Sequence, residues 1–89
     1  MKPEKMTHIL EQLKNGISPR IRVHAYEGSR AIYYVRKIED EIFLEPVRSG
    51  STAWPAVDEM SYQYQNGGAL YRAAVDTAWE IREAMKTND

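Results

Sequence analysis

RIRVHAYEGSRAIYYVRKIEDEIFLEPV, residues 20–47, is rich in β-branched and aromatic side chains and breaks twice, at Glu27-Gly28-Ser29 and at Glu39-Asp40-Glu41. Three short runs of this composition divided by polar turns read as antiparallel strands over 20–26, 31–38 and 42–47. How the runs pair matters more than where they end. Successive strand side chains point to opposite faces, so a slip of one residue carries a whole apolar set to the wrong side. Gly28-Ser29 suits a two-residue hairpin turn that opens with a positive φ. Such a turn sets Glu27 opposite Arg30, Ala25 opposite Ile32 and Val23 opposite Tyr34. With Glu39-Asp40-Glu41 as the second turn, Ile38 faces Ile42.

The predicted apolar face then holds Ile21, Val23, Ala25, Ile32, Tyr34, Ile38, Ile42 and Leu44. Alternation sends Arg20, Arg22, His24, Tyr26, Tyr33, Val35, Lys37, Phe43 and Glu45 to the other side, which is basic and aromatic. Two arginines, Arg30 and Arg36, fall on the apolar side in this register, where only a place at the sheet edge lets their heads reach water.

Helices flank the strands. Upstream, Met6, Ile9, Leu10 and Leu13 recur at three-four spacing, Pro3 suits a first turn, and Asn15-Gly16 supplies a left-handed stop. Downstream, 69–86 is rich in helix formers, with Tyr71, Ala74, Val75, Ala78, Ile81 and Met85 along one stripe. Trp79 lies off the centre of that stripe and is expected at the edge of the core. Between strands and helix, Ser49-Gly50-Ser51-Thr52 reads as a plain connection. Pro55 followed by Asp58-Glu59 favours a short helix over a strand, and Asn66-Gly67-Gly68 ends the segment.

The expected fold is therefore α+β: an N-terminal helix, a three-stranded antiparallel meander, a short helix or loop, and a long C-terminal helix, with the helices on one face of the sheet. Its 89 residues make one small domain, residues 1–89, with a single core. The element order resembles that of the double-stranded-RNA-binding domain in topology alone. The lysine cluster that such domains carry at the start of their last helix is missing, since Gly68-Ala69-Leu70-Tyr71-Arg72 offers one basic residue, and the family is not assigned.

Composition narrows the function. Cysteine is absent, which removes disulfides, thiolate zinc sites and a cysteine nucleophile and fits a reducing, cytoplasmic setting. The opening residues MKPEKMTHIL have no continuous apolar run, so neither a signal peptide nor a membrane span is expected. Only His8 and His24 are available as imidazole bases, and neither lies in a recognisable nucleophile turn. Glu39-Asp40-Glu41 lacks the calcium-loop pattern and reads as a solvated turn, and Asp76, Glu80 and Glu83 read as a solvated helix face. No catalytic residue, metal ligand or cofactor is expected, and the chain is not expected to be an enzyme.

Binding remains. From 17 to 38 the chain carries Arg20, Arg22, Arg30, Arg36 and Lys37 against the single acid Glu27, a formal excess of four within a chain of net charge -1. Arginine, tyrosine and phenylalanine are the types enriched at protein interfaces. The expected contact residues are Arg20, Arg22, His24, Tyr26, Tyr33, Lys37 and Phe43. The expected role is a small interaction module of the regulator or inhibitor kind that phages and mobile elements encode, acting on a protein partner. The alternative partner for the same face is nucleic acid, with aromatics stacking on bases and arginines on phosphates.

Overall fold

The computed structural model describes residues 3–26, 28–47 and 56–87. Helix α1 is Pro3–Lys14, followed by strands β1 (Arg20–His24), β2 (Arg30–Ile38) and β3 (Glu41–Pro46), helix α2 (Val57–Tyr62), a 3₁₀ turn (Tyr64–Asn66) and helix α3 (Ala69–Thr87). The strands form one antiparallel sheet in the order β1-β2-β3. The predicted α+β architecture is the observed one, with a helical segment at 57–62 where helix was favoured. Ser49-Gly50-Ser51-Thr52, Trp54 and Pro55 lie outside the described residues.

Local chemistry accounts for the helix ends. Gly16 takes a φ of 76°, its N–H donates to the Leu13 carbonyl at 3.1 Å, and the Ile17 N–H reaches the Gln12 carbonyl at 2.9 Å. These paired bonds close the last turn of α1, and they need a left-handed residue that glycine supplies without a Cβ penalty. α3 runs far longer, and its stripe of Ala74, Val75, Ala78 and Ile81 is fully buried. It packs on β1 and β3, with α1 and α2 against it. Small residues at 74 and 78 let this helix approach the sheet closely. Ile9 and Leu13 from α1, Ile21 and Val23 from β1, Tyr33 and Val35 from β2, Ile42 and Leu44 from β3, and Val57 and Met60 from α2 complete a single core.

The strand register departs from expectation. Val23 faces Ala31, not Tyr34, and Tyr34 faces Arg20. The loop explains the slip: the Ser29 N–H donates to the Tyr26 carbonyl at 2.8 Å and the Ala25 N–H to the Ser29 carbonyl at 3.4 Å, so Gly28, with a φ of 79°, is the second central residue of a turn over 26–29 and not the first central residue of a Gly28-Ser29 turn. The partner of each β2 residue thus moves by three along β1. An odd shift turns β2 over relative to β1. Tyr33 and Val35 point to the helices, while Ile32 and Tyr34 point away.

The second hairpin also differs, since Ile38 faces Glu41 and Glu39-Asp40 alone make the turn. This one-residue change cancels the parity flip for β3, so Ile42 and Leu44 are buried as predicted. Ile38 and Tyr34, predicted in the core, are exposed, and Ala25 and Ile32 are only partly buried. The physical reason is the arginines. The expected register directs Arg30 and Arg36 toward the core, where an unpaired guanidinium costs several kcal/mol, about the whole stability of a small domain. The observed one sends both to solvent.

Two outcomes test this packing. Ile81→Asp places an unpaired carboxylate where Ile81 has 0% exposure, and it should cost about 3 kcal/mol or more in chemical denaturation; near-native stability would place α3 off the sheet. Glu39 holds a φ of 56°, a conformation that asparagine tolerates better. Glu39→Asn should therefore raise stability by about 0.5–1 kcal/mol in the same assay, and a loss would argue against this turn.

Candidate functional site

Helices cover one face of the sheet, so the other is the largest ordered surface built from adjacent strands. Because pairing partners share a face, the observed register assembles it from Arg20, Arg22 and His24 of β1, Arg30, Ile32, Tyr34, Arg36 and Ile38 of β2, and Glu41, Phe43 and Glu45 of β3. Ile32 and Tyr34 lie at its middle, Tyr34 being 37% exposed, with Arg20 and Arg22 across from them. Arg36 Nη1 meets Glu45 Oε1 at 2.7 Å. A partly exposed pair of this kind is worth at most about 1 kcal/mol, but it neutralises the β3 side of the face. Among the described residues no ion pair engages Arg20, Arg22 or Arg30, so the positive field concentrates over β1 and the adjacent half of β2.

Of the residues predicted for this surface, Arg20, Arg22 and His24 occupy it and are exposed. Tyr26 stands in the hairpin loop at 68% exposure. Phe43 belongs to the outer face but is half-buried, and an antiparallel bridge joins its backbone to Ala56. Tyr33 is a correction: the turned-over β2 buries it at 5% exposure among the core side chains. Lys37 is another, since its pairing with Ile42 puts it on the helix side, exposed at the end of the strand. The reading of residue types missed Arg30, Ile32, Tyr34 and Arg36. The signal that finds them is the pair of arginines it had turned toward the apolar side.

The free edge of the sheet adjoins this face. In an antiparallel ladder, residues alternate between those bonded to the neighbouring strand and those whose N–H and C=O point away. Val35 donates to the Pro19 carbonyl at 2.9 Å and Ala25 to Ser29, so the odd-numbered residues of this segment bond to β2. Arg20, Arg22 and His24 therefore turn their backbone groups outward, and among the described residues nothing pairs with them. A shallow depression of about 400 Å³ follows this edge, lined by Lys5, Arg20, Ile21, Arg22, His24 and Ile32. Every ionisable side chain lining it is cationic or imidazole. The opposite edge is different, because Ala56 bridges to Phe43 and Pro46 has no N–H to offer.

A second cluster joins α2 to α3. Trp79 Nε1 donates to Ser61 Oγ at 2.7 Å, and the Ser61 hydroxyl donates to the Val57 carbonyl at 2.8 Å. The Arg82 guanidinium lies 3.7 Å from the Trp79 ring centroid and donates to Asp58 Oδ1 at 2.5 Å. Trp79 is thus an edge-of-core residue with a satisfied N–H, and the cluster clamps two helices together. An open depression of about 510 Å³ beside it is lined by Asp40, Glu41, Asp58, Arg82, Met85 and Lys86, of mixed sign. Asp76, Glu80 and Glu83 are exposed along α3, Asp76 accepting from the Tyr64 hydroxyl at 3.2 Å and Glu83 lying 3.6 Å from Lys86 Nζ. Among the described residues no three acidic or imidazole groups gather to hold a metal ion, and no helix is long and apolar enough to cross a membrane.

Compared with protein-family models, curated proteins and solved structures, the chain matches none. The inward position of Tyr33 has its own readout. Burial, and then the neighbouring Tyr71 phenol, pushes the Tyr33 phenol above its ordinary value of 10.0. Below that value both folded and unfolded chains hold the proton; above it the unfolded chain ionises first, so stability falls as pH rises toward the folded-state value. Tyr33→Phe should flatten this alkaline loss when denaturation midpoints at about pH 9 and about pH 11 are compared. An unchanged slope would place the phenol in solvent.

Proposed function

We propose that the chain is a small non-enzymatic interaction module, a regulator or inhibitor that occupies a surface of a larger protein through the outer face of its sheet. The observation that carries this reading is the make-up of the face: Ile32 and Tyr34 sit between Arg20, Arg22 and Arg30, cations that no ion pair engages among the described residues. An apolar and aromatic centre ringed by arginine is the arrangement in which interface binding energy concentrates. A rigid sheet also loses little freedom on binding, which leaves more of the contact energy as affinity.

Nucleic acid is the second reading, favoured by one observation. The register adds Arg30 and Arg36 to a face where fewer cations were expected. Against it, Glu45 neutralises Arg36, and Glu39, Asp40 and Glu41 lie at the end of the same sheet. These acids fall within about one or two Debye lengths of the arginines at physiological salt and weaken their field.

Variants on and off the face separate these readings from an unrelated interface. Arg22→Glu and Tyr34→Ala should each weaken capture of the partner from a host lysate by about 1–2 kcal/mol, while Glu80→Lys on the far side of α3 leaves it unchanged. The reverse ranking would move the interface to the helix. Titration of labelled single- and double-stranded DNA and RNA then tests the second reading. Three phosphate contacts give a log-log salt slope of roughly minus two to minus three, and absence of binding at low salt eliminates it.

A further inference from the structure

The open edge of β1 specifies more than a general contact surface. Arg20, Arg22 and His24 present their side chains to the outer face and their backbone groups to the edge, so one incoming strand meets both at once. Lys5 adds a cation from the helix side of the same depression, and Ile21 and Ile32 give it an apolar floor. The other sheet edge is already bridged at Phe43 and lacks a donor at Pro46, so β1 is the edge open to addition among the described residues. A second copy of this chain is a poor occupant. Pairing β1 with β1 sets Arg20, Arg22 and His24 against the same cationic row, and like charges directly opposite are destabilising.

We propose that β1 receives an extended acidic segment of the protein partner as an added strand, its alternate carboxylates lying against Arg20, Arg22 and His24 and its intervening apolar residues beside Ile21 and Val23. Main-chain hydrogen bonds to the amides and carbonyls of Arg20, Arg22 and His24 supply affinity, and the charge complement selects the sequence. The inference rests on the interaction-module reading and names the partner's chemistry: a β-forming stretch in which acids recur at every second position.

The test uses the full chain and a capped heptapeptide in which glutamates alternate with valines, with a lysine-for-glutamate peptide as control. Hydrogen exchange followed by NMR should show the amides of Arg20, Arg22 and His24 slowed tenfold or more by the acidic peptide, and unchanged by the basic one. Arg22→Pro removes an edge donor together with the charge, whereas Arg22→Ala removes the charge alone. Strand addition predicts that the proline variant binds the acidic peptide at least tenfold more weakly than the alanine variant. Because proline can upset the strand, His24→Pro against His24→Ala repeats the comparison at the strand end, and the exchange readout needs no variant. Peptide binding that shifts Ile32 and Tyr34 signals without slowing the edge amides, or with equal losses for proline and alanine, overturns strand addition while leaving the outer face as the contact surface. Failure of the acidic peptide to bind, while Arg22→Glu still weakens lysate capture, also overturns it alone. Loss of neither by Arg22→Glu overturns both readings. Protection of the same amides by an oligothymidylate in place of the acidic peptide replaces the proposed partner with nucleic acid.

Discussion

A guanidinium group cannot be left unpaired in a core this small, and that constraint fixes how β1 and β2 meet. Along β2, Arg30 and Arg36 have the same parity as Ile32 and Tyr34, and the opposite parity to Tyr33 and Val35. Either set is apolar enough to face the helices. Only one choice leaves both arginines in water, and it buries Val35 at 0% and Tyr33 at 5% exposure. The polar residues therefore select the packing. Desolvating even one arginine costs more than the difference in apolar area between the two faces, because a buried charge loses several kcal/mol and a methylene recovers about 0.8.

Everything outward follows from that choice. With Tyr33 and Val35 inside, α3 can lay its Ala74-Ala78 stripe across the sheet, and α1 and α2 close the sides through Ile9, Leu13, Val57 and Met60. A small chain can cover one face of its sheet in this way, and among the described residues no further helix packs on the second. The outer face carries the arginines excluded from the core. Stability and surface chemistry thus have a common origin: the charges that cannot be buried gather on that face. The Trp79-Arg82-Asp58 clamp secures α3 to α2.

Much of this was legible in the residues themselves. The stop at Asn15-Gly16 and the 74-75-78-81 stripe have single physical interpretations, and both helices follow them. The β1–β2 register does not. Ile32-Tyr33-Tyr34-Val35 is apolar at four successive positions, so alternation carries no parity information there, and Glu27-Gly28-Ser29 accommodates more than one turn. Arg30 and Arg36 break the tie, but their weight becomes visible only when both candidate faces are compared for buried charge. Arg20, Arg22 and His24 were placed correctly because β1 alternates cleanly; Tyr33 was not, because an equally large tyrosine follows it. β3 was assigned to the right face through two turn differences that offset each other.

Cross-strand contacts in solution measure the register directly. Residues 20, 22 and 24 form the non-hydrogen-bonded pairs of the first hairpin, whose α-carbons approach to about 4.5 Å and give strong Hα–Hα cross-peaks. The account predicts such peaks between Arg20 and Tyr34, Arg22 and Ile32, and His24 and Arg30 in a nuclear Overhauser spectrum of the intact chain. Peaks pairing Arg22 with Val35 and His24 with Tyr33 would contradict it, returning Arg30 and Arg36 to the helix side and replacing Ile32 and Tyr34 on the outer face with Tyr33 and Val35.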